Sequence, residues 1–291
     1  MQVVLHIGAP CTDDDRFIQS LLKNRDRLAK RGVAVPTPAL YRDVLKDTLR
    51  ALDGAPAPEE MSRAILQAAR VPEDAERVVL SDSRMVSINR LVVIGAQIWP
   101  MIDRVTQSLR NLFPRDDVEF MLGMRDPATL IPALFKASRF RDFAEFTEDM
   151  QPHALTWSEM LARFRESVPD CPITTWCNED TPLIWGEVMR EMAGLDPFDA
   201  LDGVDDLIED LMDPAGFRRM QGYLAENPPE SENLRRRVVA AFLDKYALDD
   251  ALDEDLDTPG WPDEMLDEMT TAYEEDLDAI PHIPGLTLIT P

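Results

Sequence analysis

Short apolar runs alternate with helix-like segments along the first two thirds of the chain. This alternation limits the possible folds more than any other feature of the sequence. The predicted strands cover residues 3–7, 33–35, 77–81, 118–124 and 172–177. The segments between them carry apolar residues at helical spacing and predict helices at 13–30, 39–52, 58–70, 98–113, from Pro127 onward, and at 181–193. Strands separated by helices predict the α/β class, with a parallel sheet flanked by helices.

The sequence changes in character after Leu195. Helical patterns dominate at 216–225, 233–246 and 264–277, and a short apolar run follows at 286–289. Residues 195–291 contain 26 acidic and 6 basic side chains, whereas the rest of the chain has 29 and 24. We therefore expect a single domain over 1–291, in which 195–291 is an acidic, mainly helical portion packed on the sheet.

The net charge of −25 excludes several classes of partner. It leaves no basic footprint for nucleic acid or for an anionic membrane surface. The longest nearly apolar run, 91–102, contains Gln97 and is too short to span a bilayer, and no signal-peptide pattern is present. Three cysteines without zinc-type spacing favour a reducing cytoplasm and no structural metal. The acidic third is either a solvated face or a docking surface for a basic protein partner.

Four segments near the predicted strands carry polar residues of potential function. They read HIGAPCTDDD at 6–15, RVVLSDSRMVS at 77–87, FMLGMRDP at 120–127 and CPITTWCNED at 171–180. In this order they resemble motifs of the bacterial sulfotransferase family, whose first motif commonly reads HIGxPKTGTT. The ending, YEED at 273–276 and GLTLITP at 285–291, is also similar to that family.

The resemblance implies a P-loop NTPase-like sulfotransferase fold with a helical C-terminal extension. It also implies the donor 3′-phosphoadenosine 5′-phosphosulfate (PAPS), with adenosine 3′,5′-bisphosphate (PAP) as its product. The loop after the first strand would direct backbone N–H groups and a helix N-terminus at the phosphosulfate. The positions that match the family's donor site are Gly8, Ala9, Pro10, Cys11, Thr12, Asp13, Asp14, Asp15, Arg125 and Ala133.

The first loop departs from the family motif where charge matters most. Cys11 stands at the lysine position, Asp13 at the glycine position, and Asp14 and Asp15 at the two hydroxyl positions. Like charges about 4 Å apart repel by roughly 1–4 kcal/mol per pair, depending on the dielectric. A polyanionic donor would therefore lose the attraction that this loop supplies in relatives.

The three carboxylates have other uses that do not involve the donor. One or more of them can accept hydrogen bonds from the N–H groups at the start of the following helix. A divalent cation on Asp13, Asp14 and Asp15 is a weaker alternative, because consecutive carboxylates rarely converge on one ion. A reactive Cys11 thiol is weaker still, because the neighbouring carboxylates oppose its ionisation.

The later motifs also lack residues that the family uses. Arg125 matches the arginine that contacts the 3′-phosphate, but it can equally pair locally, for example with Asp126. Ala133 replaces a serine. In the second motif Ser83 stands at the position of a glutamate that is a possible general base, and Asp82 remains as a weak catalytic candidate with it.

These substitutions favour a pseudoenzyme that has lost PAPS binding and catalysis and holds no cofactor. Such a protein would act on a protein partner through 195–291. The alternative is an active sulfotransferase that transfers a sulfuryl group to a hydroxyl or amine, with replacement cations such as Arg16, Arg84 or Arg90. A third possibility is a less anionic ligand in the same crevice.

The remaining basic residues and histidines support simpler interpretations. We expect the cluster at 235–237 to be helix surface and His6 to be a buried, hydrogen-bonded imidazole. His153 and His282 have no partner that the sequence can identify.

Overall fold

The computed structural model describes residues 1–248 and 258–291, which form eight strands and thirteen α-helices. The strands are β1 (Gln2–His6), β2 (Val33–Ala34), β3 (Arg77–Ser81), β4 (Val93–Ile94), β5 (Gln97–Ile98), β6 (Asp117–Met124), β7 (Ile173–Cys177) and β8 (Leu286–Ile289). The helices are α1 (Arg16–Leu22), α2 (Arg25–Ala29), α3 (Arg42–Leu52), α4 (Glu59–Ala68), α5 (Ile102–Arg110), α6 (Pro127–Lys136), α7 (Phe143–Thr147), α8 (Trp157–Ser167), α9 (Thr181–Ala193), α10 (Asp206–Leu211), α11 (Pro214–Glu226), α12 (Glu232–Tyr246) and α13 (Asp263–Leu277).

Six of the strands form one parallel sheet, in the order β2-β3-β1-β6-β7-β8. The predicted class, α/β with a parallel sheet flanked by helices, is confirmed. From β1 the sheet extends to β3 and β2 on one side and to β6, β7 and β8 on the other. The carboxyl end of β1 is therefore at a topological switch point, where sheets of this class form a crevice.

The side chains of β1 alternate between two apolar layers. Val3 and Leu5 pack in the larger core, whereas Val4 packs in a second core together with Phe17 of α1 and Trp185 of α9. All three strand residues are fully buried. Because successive side chains of a strand point to opposite faces, helices on both faces require this unbroken apolar run.

Two predicted helices are shorter than the sequence pattern suggests. The helix predicted at 13–30 is wrong as one element, because α1 ends at Leu22 and α2 begins at Arg25. Asn24 lies at the break, where its Nδ2 donates to the Ser20 and Asp202 carbonyls at 3.1 and 2.8 Å. The helix predicted at 98–113 begins only at Ile102, because Ile98 pairs in the β4–β5 hairpin. Similarly, residues 38–40 form a 3-10 turn before α3.

The acidic C-terminal third is mainly helical, as predicted, but its last segment joins the main sheet. β8 pairs in parallel with β7, while α10, α11 and α12 enclose a small separate core around Phe217, Met220 and Val239. Part of the acidic stretch, 249–257, lies outside the described residues. Within the described ranges, no helix combines the length and apolar character needed to cross a bilayer.

The prediction that residues 235–237 are plain helix surface is wrong for two of the three. Arg235 pairs with Asp205 and Arg236 pairs with Glu187, and the two arginine side chains are only 14% and 11% exposed. These ion pairs connect α12 to α9 and to the start of α10. Arg237 is exposed, as predicted.

His153 and His282, which have no partner that the sequence can identify, lie beside a carboxylate and a backbone carbonyl, respectively. His153 Nδ1 is 3.9 Å from Glu268 Oε2 on α13. His282 Nδ1 is 3.0 Å from the Asp278 carbonyl oxygen, within the same local turn. Both histidines are exposed, so these contacts are local surface interactions.

Candidate functional site

The sequence motifs meet at the carboxyl ends of β1, β3 and β6. The loop at 8–15 follows β1, the segment at 82–87 follows β3, and Arg125 follows β6. Backbone hydrogen bonds hold the three strand ends together: the N–H of Asp82 donates to the His6 carbonyl, and the N–H of Ile7 donates to the Met121 carbonyl. The parallel register brings together residues that lie more than one hundred positions apart.

The backbone of the loop makes repeated left-handed turns. Gly8, Cys11, Asp14 and Asp15 all have positive φ angles, of 55°, 64°, 46° and 68°. Gly8 is needed for a second reason, since a Cβ there would lie 3.1 Å from the Cβ of Ser83. Aspartate tolerates the left-handed region better than threonine, whose β-branch makes it strained there. The aspartates at 14 and 15 therefore suit this left-handed backbone.

Asp13 is buried beneath the loop, where it binds the start of the following helix. Its Oδ2 accepts from the N–H of Phe17 at 3.2 Å, and its carbonyl accepts from the N–H of Arg16 at 2.8 Å. Burial raises the pKa of this carboxyl, although His6 and the Phe17 N–H oppose the rise. The prediction that one of the three carboxylates binds helix N–H groups is thus confirmed for Asp13.

His6 is a fully buried imidazole, as predicted. Its Nδ1 lies 2.9 Å from Ser81 Oγ, and its Nε2 lies 3.9 Å from Asp13 Oδ1. Burial lowers the pKa of His6, while Asp13 and Asp15 raise it to a lesser degree. Nε2 has no hydrogen-bond partner among the described residues. His6 and Asp13 therefore form a loose, dry pair under the loop that solvent does not reach.

Asp14 and Asp15 point away from Asp13. Asp14 is exposed, whereas Asp15 Oδ1 accepts from Arg42 Nη2 at 2.6 Å. Arg42 also lies 3.3 Å from Asp82 Oδ2 through its Nε, so it joins the first and second motifs. Across residues 1–248 and 258–291, no three acidic, histidine or cysteine side chains are grouped to hold a metal ion.

The hydroxyl of Thr12 and the carbonyl of Cys11 form hydrogen bonds with other groups of the protein. Thr12 Oγ1 donates to the Ala9 carbonyl at 2.6 Å, and Ala9 and Pro10 are buried. The Cys11 carbonyl accepts from Arg125 Nη1, and Arg125 Nε donates to Thr129 Oγ1 at 2.9 Å. The guanidinium of Arg125 therefore lies against the first loop.

Asp126 does not serve as the local partner that the sequence suggests for Arg125. Its Oδ1 accepts from the N–H of Ala128 at 2.8 Å and caps α6, and its Oδ2 accepts from Thr270 Oγ1 at 2.6 Å. The Asp126 N–H donates to Glu179 Oε1 at 2.8 Å, and Tyr273 donates to the other oxygen of Glu179 at 3.1 Å. Burial raises the pKa of Glu179, despite these hydrogen bonds. Helix α13 is thereby fixed to the ends of β6 and β7.

The two weak catalytic candidates lie beside the loop. Asp82 Oδ1 accepts from the N–H of Arg84 at 3.0 Å, and its other oxygen faces Arg42. Ser83 is half-buried against Gly8. Ala133 lies half-buried on α6, next to Pro132. The structure thus brings Asp82 and Ser83 to the loop but gives Asp82 a structural pairing.

Each of the replacement cations proposed from the sequence lies beside a carboxylate of the protein, and only the carboxylate beside Arg84 is at the loop. Arg16 pairs with Asp210, Arg84 lies 3.8 Å from Asp82, and Arg90 lies 3.9 Å from Asp149. The cation that sequence reasoning missed is Arg42. No local signal could have identified it, because Asp15 lies 27 positions away along the chain.

Tyr41 is a second residue that the sequence did not single out. Its hydroxyl donates to the Ser81 carbonyl at 2.9 Å and accepts from the Ser81 N–H at 2.7 Å. Burial raises the pKa of this phenol, so it stays protonated at neutral pH. It fixes the end of β3, and with it the backbone beside Gly8.

A cavity of about 830 Å³ lies away from this loop, at the β2 edge of the sheet around Val35, and the loop residues do not line it.

Comparisons with known proteins give one result of note. No family model and no curated protein matches this chain. Among solved structures, the chain is similar to a sulfotransferase from Alicyclobacillus acidocaldarius, with 12% sequence identity and a TM-score of 0.40. The similarity covers 82% of this chain and 97% of that one.

Proposed function

We propose that this chain is a sulfotransferase-like protein whose donor loop no longer binds PAPS, and that it acts through its surface. The observation that carries the proposal is the buried carboxylate of Asp13. Its Oδ2 accepts from the Phe17 N–H, and the Asp13 main-chain carbonyl accepts from the Arg16 N–H, at the helix start that a phosphosulfate would approach. An anion bound there would compete with a carboxylate that the protein itself supplies.

The charges around the loop support the same conclusion. Four carboxylates surround it, those of Asp13, Asp14, Asp15 and Asp82, against the guanidinium groups of Arg42, Arg84 and Arg125. Arg42 is paired with two of the carboxylates, and Arg125 donates to the loop backbone. A polyanionic donor would have to break these contacts and would still meet a negative site.

Surface action is supported by the outer face of α13. Seven acidic residues of this segment are exposed or lie just beyond its last turn: Asp263, Glu264, Asp267, Glu268, Glu274, Glu275 and Asp278. Among the described residues, only Glu268 of these has a basic neighbour within 4 Å, His153. The helix is held rigidly by Tyr273 and Asp276, so its carboxylates form an ordered negative surface for a basic partner.

A calorimetric titration with PAP tests the loss of the donor site. We expect no binding heat and no thermal stabilisation of the wild-type chain. A ligand at one hundred times its dissociation constant would add about 2.7 kcal/mol of stability. If that stabilisation appears and Arg125→Ala removes it, the alternative of an active sulfotransferase replaces this proposal.

A neutralised α13 tests the surface. The variant Asp267→Asn, Glu268→Gln, Glu274→Gln, Glu275→Gln should bind a synthetic lysine-rich peptide several-fold more weakly than the wild type. The matched control neutralises four exposed carboxylates elsewhere: Glu60, Glu73, Asp74 and Glu76. Equal losses in the two variants would show only a general effect of net charge and would refute a partner surface on α13.

A further inference from the structure

The hairpin of α11 and α12 has an apolar groove on its outer side. One side of the hairpin encloses the small core around Phe217. The hairpin also forms a groove of about 380 Å³, to which Phe242 contributes as well as packing against that core. Its apolar lining is Tyr223, Pro228, Pro229, Leu234, Val238, Ala241 and Phe242, and Asn227, Glu230 and Arg237 complete it. Tyr223 and Leu234 are 46% and 44% exposed. Apolar side chains grouped in this way on a surface mark a contact site more often than single exposed ones do.

A single aromatic side chain projects from the loop between α9 and α10. Phe198 is 78% exposed, the largest exposed fraction among the large apolar residues that the structure describes. The loop backbone is nevertheless held in place: the Asp196 N–H donates to Asp199 Oδ2 at 3.0 Å, and Asp199 pairs with Arg31 at 2.7 Å. An exposed phenyl ring on a loop that is fixed in this way has the character of a binding anchor.

One arginine holds the Phe198 loop and the start of α12 together. Arg190 Nε donates to the Asp199 carbonyl at 3.1 Å, and its Nη2 lies 3.0 Å from Glu232 Oε1. The backbone one residue after Phe198 and the first residue of α12, two positions before Leu234, are therefore linked through Arg190. In a two-fold dimer, Phe198 of each copy can contact the groove of the other, so the same contact forms twice.

The charges of the two features are complementary. All six basic residues of the acidic C-terminal third lie in the hairpin, at 214–246, which has four acidic residues. The stretch that carries Phe198, 195–213, has eight acidic residues and no basic one, but those at 199, 202, 205, 206 and 210 already pair within the chain. Arg237 lines the groove, and Asp196 lies two residues from Phe198. Within the described part of the chain, both side chains are exposed and have no ion pair.

We infer that the occupant of this groove is a second copy of the chain. In a two-fold dimer, Phe198 of each copy inserts into the groove beside Leu234 and Phe242 of the other. Asp196 of each copy then approaches Arg237 of the other. The inference does not depend on the state of the donor loop, because the two sites share no residue.

Sedimentation velocity tests the dimer. The wild type should sediment as a dimer, and Phe198→Ser should raise the dissociation constant at least about 30-fold, as expected for an aromatic anchor. Leu234→Arg should do the same. The matched control is Ile88→Ser, which removes an apolar side chain that is 60% exposed outside the proposed interface and should leave the dimer intact. All three positions are exposed, so circular dichroism should show unchanged folding.

A charge exchange supplies the second test. Asp196→Arg and Arg237→Asp should each weaken the dimer, because each places two like charges opposite each other. The two changes together in one chain should restore it, because the new arginine at position 196 of each copy then faces the new aspartate at position 237 of the other. A monomeric wild type, or a Phe198→Ser variant that dimerises as the wild type does, would overturn the inference. Failure of this test leaves the nucleotide titration unaffected, and the reverse also holds.

Discussion

Asp13 offers the sharpest prediction about the loop, because two substitutions separate its charge from its hydrogen bond. Asp13→Asn removes the charge but keeps an oxygen that can accept from the Phe17 N–H, now 3.2 Å from Oδ2. Asp13→Ala removes both. Because burial raises the pKa of Asp13, the folded protein carries an ionisation penalty at neutral pH that asparagine lacks.

We therefore expect a definite order of stability at pH 7.5. The asparagine variant should be at least as stable as the wild type. The alanine variant should lose about 1–3 kcal/mol, because the buried Phe17 N–H is then left without an acceptor. In domains of about 150–250 residues each kcal/mol corresponds to a change of about 2–4 °C in Tm.

The pH dependence gives the sign of the charge contribution. Because the pKa of Asp13 in the folded protein is above its ordinary value of 3.8, the folded state binds a proton more readily than the unfolded state between these two pKa values. The contribution of Asp13 to stability is therefore largest at low pH and falls as pH rises through the folded pKa. Urea unfolding at a series of pH values should show this fall in the wild type and not in Asp13→Asn. An alanine variant as stable as the wild type would refute the role given to this carboxylate.

Three further predictions follow from the same region and its surroundings. Gly8→Ala should destabilise the fold by about 2 kcal/mol or more, because Gly8 has a φ of 55° and the new Cβ would lie 3.1 Å from Ser83. Gly222→Ala in helix α11 should stabilise the fold by up to about 1 kcal/mol, because its Cβ would meet nothing within 4 Å. Urea unfolding measures both changes. Burial raises the pKa of Cys171 and Cys177 to about 12 and 11, so at pH 8 neither thiol should react with a disulfide reagent until the protein unfolds. Fast labelling of either thiol in the native state would contradict its buried position. Burial lowers the pKa of His6 below 6.5, so the unfolded chain binds its proton first and stability should fall by up to about 1.4 kcal/mol per unit as pH drops below 6.5; an unchanged slope in His6→Asn would contradict this.

Most strands of the sheet and several helices could be predicted closely from the sequence, among them α12 and α13 to within one residue. The buried apolar runs predicted β3 at its observed bounds, and β1, β6 and β7 to within one or two residues. Helix α9 was also placed correctly at 181–193, because Pro182 suits its first turn and Gly194 adopts the left-handed conformation after its last. These signals are local, so one sequence contains them.

The errors arise where distant segments interact. The break at Asn24 depends on its bonds to the backbone of Asp202, which lies 178 positions away. The burial of Arg235 and Arg236 depends on carboxylates of two other helices. No periodicity in α1 or α12 contains that information.

The candidate site was predicted in its members but not in its contacts. The motifs placed Asp13, Asp82 and Arg125 at one sheet edge, and the structure brings them there. The sequence could not indicate that Arg42 and Tyr41 would join them, because neither lies in a motif. The central claim is that the contacts of these residues leave the loop unable to bind a nucleotide.

A crystal structure of the wild-type protein soaked in PAP tests that central claim most directly. We expect the loop at 8–15 unchanged, with the Asp13 carboxylate on the Phe17 N–H, Arg125 on the Cys11 carbonyl, and no nucleotide between them. A nucleotide phosphate seated between the loop and the Arg125 guanidinium would contradict the proposed loss of donor binding.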